Sequence, residues 1–140
     1  MKAVRIHAYN LPLRVDDVPE PVPGEGEQLV DVLYVSVNPL DVWVSQGRTG
    51  QQPLPFVPGV EAVGTLGGQL VLVNGAGVGT AREGVYRERA VVPSAAVVKL
   101  PSGTDPKQAA AMGVAGVTSW RVVHELAKVS ANDRVLVMGA

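Results

Sequence analysis

Cysteine is absent from the 140 residues, and that single absence removes disulfides, thiolate-ligated zinc and cysteine nucleophiles together. Histidine is nearly as scarce. His7 and His124 are the only two, they stand far apart in the chain, and the carboxylates do not cluster convincingly, so no native metal site is expected. His7 near the end of a first strand and His124 inside a helical pattern read as solvent-facing or packing residues rather than catalytic bases. Trp43 and Trp120 are the only tryptophans, and neither belongs to an aromatic ladder suited to stacking bases. Lys and Arg form no run, and twelve basic against thirteen acidic residues leave a net charge of -1, which makes nucleic acid and anionic membrane poor partners. No stretch reaches the apolar length of a membrane span, and the start MKAVRI is charged and alternating, unlike a signal peptide. The expectation is a cytoplasmic protein with no nucleic-acid or membrane partner.

Glycine and proline, by contrast, are plentiful. Sixteen glycines and eleven prolines lie mostly between short Val-rich runs, a distribution that suits a β domain with many turns rather than disorder. The length is that of one domain with one core, able to bury roughly two thirds of its extended surface.

The chain is organised around 28–47, QLVDVLYVSVNPLDVWVSQG. Nearly every residue from Leu29 to Val37 is apolar or β-branched, on both alternating faces, which predicts a central strand covered on much of both sides. At Asn38-Pro39-Leu40-Asp41 the period breaks: Asn38 can cap a helix, Pro39 suits its first position, and Asp41 lies in the first turn, where negative charge is favoured. Two readings stay open at this junction. Asn38 and Asp41 either only cap a surface helix, or they present an amide and a carboxylate to a cleft at the strand's end.

Before this stretch, Lys2 to His7 and Leu13 to Val15 or Val18 read as strands, and the prolines at 19, 21 and 23 predict an extended edge segment. After it, 47–58 has no usable period and is a long loop, pinned by Phe56 and Val57. Strands are predicted from Gly59 to Thr65, Gln69 to Val73, Tyr86 to Val92 and Ala96 to Leu100. Gly75-Ala76-Gly77-Val78-Gly79 invites a dinucleotide-loop reading, which fails because Thr80 occupies the sixth place and no apolar helix follows; a hairpin or wide loop is expected. From Pro101 the pattern turns helical: Thr104 or Asp105 caps, Pro106 opens a short helix to Met112, Gly113 to Gly116 is a kink, and a second helix runs from Val117 to about Val129 with Arg121 and Glu125 paired. Arg134 to Ala140 is predicted as an apolar strand with no helix after it to cover either face, as though the second half of an α/β domain were missing.

Ser36-Val37-Asn38-Pro39-Leu40-Asp41 with Gly47, the run from Pro53 to Glu61 with Gly64, Gly84-Val85-Tyr86, Ala109-Ala110-Ala111 leading to Gly116-Val117-Thr118-Ser119-Trp120, and the ending from Asp133 to Ala140 together resemble the medium-chain dehydrogenase/reductase superfamily. Within it, they resemble the zinc-free quinone oxidoreductase group that includes zeta-crystallin. The resemblance implies a mainly β fold: a GroES-like, partly open β-barrel with short helices, ending in the first strand of a truncated Rossmann domain. Its domain division would be 1–112 for the substrate side and 113–140 for a linking helix and the opening of an NAD(P)-binding unit.

The activity the resemblance implies for an intact parent is NADPH-dependent reduction of a quinone or enone by hydride transfer, without zinc, in a protein expected to be a homodimer; the 140-residue chain alone is expected to be inactive. Asn38 would lie beside the nicotinamide or substrate, with Asp41 close by; Asp41 and Glu61 would hold the loop architecture rather than transfer a proton. Thr118 would sit near the nicotinamide ribose or carboxamide, and Gly139 would begin the pyrophosphate turn. Val60 stands where zinc-using relatives carry a histidine, the Tyr often found near Thr49 is missing, and the stretch after Gly64 is shortened. The rival reading is a stand-alone GroES-like scaffold or protein-binding module without catalysis.

Overall fold

Repeated Val-rich segments punctuated by Gly and Pro fold as antiparallel strands, because β-branched side chains pack well on a pleated surface and tight turns need residues free of Cβ strain. The computed structural model describes residues 1–138. Among these, β1 (Lys2–Arg5) pairs with β2 (Arg14–Asp17) in a two-stranded sheet, and five further strands form a second sheet in the order β6-β3-β4-β5-β7. These are β3 (Glu27–Val35), β4 (Glu61–Leu66), β5 (Gln69–Asn74), β6 (Arg89–Pro93) and β7 (Val97–Lys99), all antiparallel to their neighbours. The larger sheet is open and strongly curled, a half-barrel. One source of the bend is a bulge in β3, where Val32 pairs with Gly64 but Tyr34, not Leu33, pairs with Val63.

The core is one cluster of buried side chains: Val30, Ala62, Val71, Val73, Val78, Val85, Ala90, Val92 and Ala96. A smaller cluster of Ile6, Val44 and Phe56 ties the loop before β4 to the start of the chain. It is reinforced by the reciprocal backbone bonds between Ile6 and Phe56 at 2.7 and 3.0 Å. Phe56 and Val57 thus pin the long loop as expected.

Helix α1 (Pro39–Ser45) follows β3 directly, with Asn38 at its N-cap in extended backbone and Pro39 at its first position. Helix α2 (Pro106–Met112) is capped by Asp105, whose carboxylate accepts the Gln108 N–H at 2.8 Å. Helix α3 (Val114–Trp120) continues into a wider π-type segment, Arg121–Leu126. The break between the last two helices is confined to Gly113, so Gly116 lies inside α3 rather than in a kink. The segment 75–79 forms successive turns with Gly75, Ala76, Gly77 and Gly79 at positive φ, a wide loop and not a phosphate-binding one.

Three further expectations are corrected. First, β3 is not covered on both sides: Leu33 is 50% and Val35 40% exposed, and both line an open apolar groove beside the β1–β2 hairpin. Second, residues 134–138 form no strand and are exposed; a strand is held by hydrogen bonds to a neighbour, and among the described residues none lies alongside. Third, the strand expected to begin at Tyr86 begins at Arg89, with Arg87 making only an isolated bridge to Ala3.

Candidate active site

The turn from β3 into α1 brings Asn38 and Asp41 into the interior, where each is buried. Asp41 Oδ2 accepts the Asn38 backbone N–H at 2.7 Å, the carboxylate half of a capping box. Its Oδ1 accepts the Val60 N–H at 3.1 Å and so reaches across to the entry of β4. Asp41 therefore does two things at once: it stops the end of α1 from fraying and holds the loop that delivers Glu61.

Glu61 opens β4 and is 1% exposed. Its Oε1 accepts from Asn38 Nδ2 at 2.8 Å, and its Oε2 accepts the backbone N–H of Val114, at the start of α3. Two carboxylates buried this close together are tolerable because their oxygens meet N–H donors. Tyr86 closes the group. Its hydroxyl donates to the Ser36 carbonyl at 3.1 Å, and burial, followed by the nearby Asp41 and Glu61 carboxylates, pushes its hydroxyl above the ordinary phenol range. Tyr86 stays a neutral donor. Its ring also occupies the space a Cβ at Gly59 would need, and Gly59 has φ +107°, so only glycine fits there without strain.

Ser36, two residues before the cap, donates its hydroxyl to the Ala110 carbonyl in α2. The strand end, α1, β4, α2 and α3 thus converge on one polar knot. Of the residues expected from sequence, Asn38 and Asp41 are brought together in it. Thr118 lies on α3, one turn beyond Val114, with its side chain exposed. Gly139 lies outside the described residues. Sequence reasoning does not reach Tyr86 and Val114 as site residues; a half-buried Tyr beside two acids leaves no local spacing signal, and a backbone N–H leaves none at all.

His7 pairs with Asp16 at 2.7 Å on the β1–β2 hairpin, and Arg5 reaches the same carboxylate at 3.3 Å. This hairpin cluster is remote in sequence from the knot. His124 lies against Trp120 with ring centroids 5.2 Å apart. Among the described residues no three His, Asp or Glu side chains are grouped so as to hold a metal. The donor set at Asn38, two carboxylates already spent on N–H groups and no imidazole or thiolate, does not fit zinc.

An open, strongly curled five-stranded antiparallel sheet with short helices, whose inner strand β3 runs through a capped turn into the knot, is the architecture of a GroES-like, partly open barrel. The alcohol dehydrogenase GroES-like domain family matches residues 24–102. The quinone oxidoreductase of Pongo abelii is 33% identical over 150 aligned positions, covering 100% of this chain and 46% of that protein. Among solved structures, the quinone oxidoreductase of Thermus thermophilus, studied also as its NADPH complex, superposes with a TM-score of 0.77 at 33% identity over 89% of this chain and 41% of that one. A mycobacterial structure complexed with NADPH gives 0.82 at 27% identity over 95% and 44%.

The chain belongs to the alcohol dehydrogenase GroES-like domain family, in the zinc-free, quinone-oxidoreductase-like group of the medium-chain dehydrogenase/reductase superfamily. It spans about half the length of the curated relatives it matches.

Proposed function

We propose that this chain forms the acceptor-side part of an NADPH-dependent oxidoreductase that reduces a quinone or an enone without zinc. The observation that carries the reading is the knot at Asn38: a family match across the β-domain coincides with a buried amide held between the strand end and the start of α3. In this reading residues 1–112 are the substrate-side domain, and 113–140 begin the nucleotide-binding unit. The fold changes character there, since α2 ends at Met112 and no described residue from Val114 onward is buried.

The residues present fit the uncharged end of the cofactor. A shallow groove beside α3, lined by Met112, Ala115, Gly116, Ser119, Trp120 and His124, carries no Lys or Arg and suits a neutral ring rather than a pyrophosphate. NADPH, when bound, supplies the hydride. Asn38 positions the acceptor or the carboxamide, and Thr118 offers an exposed hydroxyl on the neighbouring helix. Asp41 and Glu61 hold this geometry instead of moving protons, because their oxygens are already committed to N–H donors. Tyr86, held neutral, excludes water behind the knot, and the proton that completes reduction comes from solvent.

The test is acceptor-dependent loss of NADPH absorbance in the full-length protein across a quinone and enone series. Turnover with at least one member is expected, and none with any member sinks the reading. Purified residues 1–140 are expected to show no saturable NADPH binding by titration.

A further inference from the structure

Glu61 is the most deeply buried charged side chain of the knot, and hydride transfer as outlined gives it no proton to carry. Its two oxygens face two different parts of the fold. One meets Asn38 Nδ2 at 2.8 Å, and the other meets the Val114 N–H, 53 residues further along the chain. A carboxylate can only accept hydrogen bonds, so it selects which end of the Asn38 amide turns towards it and locks that rotamer. The Val114 N–H lies in the first turn of α3 and has no intrahelical acceptor of its own. Glu61 satisfies it.

The contact with α3 depends on Gly113. A Cβ at that position would overlap Glu61 Oε2, and Gly113 has an ordinary negative φ of -56°. Glycine leaves there the space that the carboxylate fills. The absent side chain leaves room for a carboxylate that arrives from β4.

We propose that Glu61 is a positioning residue that braces the Asn38 amide to the start of α3 across Gly113, holding the acceptor-side wall and the helix bearing Thr118 at one fixed spacing. The catalytic consequence rests on the oxidoreductase reading above, whereas the brace itself does not.

Glu61→Gln is the isosteric test. It replaces one acceptor oxygen with a donor: with that donor facing Val114 the Val114 bond is lost, and with it facing Asn38 the pair survives only if the Asn38 amide turns over to present Oδ1, the end the native carboxylate excludes. In the full-length protein, misplacement is expected to lower kcat on the order of tenfold to a hundredfold, while KM for NADPH stays within about twofold. In parallel, hydrogen exchange at the Val114 amide is expected to accelerate about tenfold as its charged acceptor is weakened. Combining Asn38→Asp with Glu61→Gln lets the new amide donate to the new carboxylate and still accept from Val114, so slow exchange at Val114 is expected to return. Gly113→Ala, which displaces the carboxylate without altering it, is expected to reproduce the exchange effect and carries the test if Glu61→Gln does not fold.

Unchanged Val114 exchange in both Glu61→Gln and Gly113→Ala overturns the brace. Accelerated exchange with unchanged kcat overturns the positioning role and leaves the oxidoreductase reading standing. Absence of quinone or enone turnover in the wild-type protein removes that reading instead, and the exchange measurements then decide the brace alone.

Discussion

The two sides of β3 are built from the same residue types and end in opposite environments. Val30 is fully buried among Val and Ala side chains of β4, β5 and β6, whereas Leu33 and Val35, with Val37 just past the strand's end, line an open apolar groove beside the β1–β2 hairpin. Apolar composition alone does not bury a side chain; a second layer has to be present to cover it. The polar groups show the same contrast. Asp41 and Glu61 are buried and satisfied by N–H donors, while Asp16, also paired, stays within reach of water on the hairpin.

The most disruptive change should fall on the packed side. Gly59→Ala meets both the left-handed φ and the Tyr86 ring, and is expected to cost about 3 kcal/mol in denaturant unfolding. Val73→Ala in the buried cluster should cost about 2 kcal/mol, from two lost methyl groups and the cavity they leave. Leu33→Ser on the open side should change stability by no more than about 0.5 kcal/mol. If Leu33→Ser costs as much as Val73→Ala, something covers that side of β3 in solution, and the contrast between the two sides collapses.

The smallest effect belongs to the hairpin. The His7 hydrogen bond, together with the positive Arg5, holds the Asp16 carboxyl below its ordinary value of 3.8. A carboxyl whose folded value is depressed stabilises the fold above its unfolded value and loses that contribution as pH falls through the folded one. Asp16→Asn is therefore expected to be slightly less stable than wild type at pH values above about 5 and to converge with it as the pH drops below the acid's ordinary range. A stability gap that persists unchanged in strong acid would show that Asp16 acts by packing.

Much of the fold was legible locally. Alternating Val-rich runs between glycine and proline turns located β1 through β5, and Asn-Pro-x-Asp announced the cap of α1, because both patterns express backbone preferences within a few residues. Half of the candidate site was legible for the same reason: Asn38 and Asp41 are three residues apart. The bonds of Glu61 agree with its expected part in loop architecture, but its partner Val114 and the approach of Tyr86 to Ser36 join segments about fifty residues apart and have no sequence signature. The apolar run Val135 to Met138 shows the converse error. It has the composition of a strand, yet among the described residues no neighbour supplies the ladder.

The succession of strands, the capped turn after β3 and the exclusion of cysteine chemistry follow from the amino acids alone, since each depends on side-chain identity or short-range backbone geometry. Which apolar residues are buried, where each carboxylate oxygen finds its N–H, and why Gly113 has no room for a side chain were decided only when distant segments met. Burial and hydrogen bonding are properties of neighbours in space, and for those groups the neighbours are not the ones the chain places beside them.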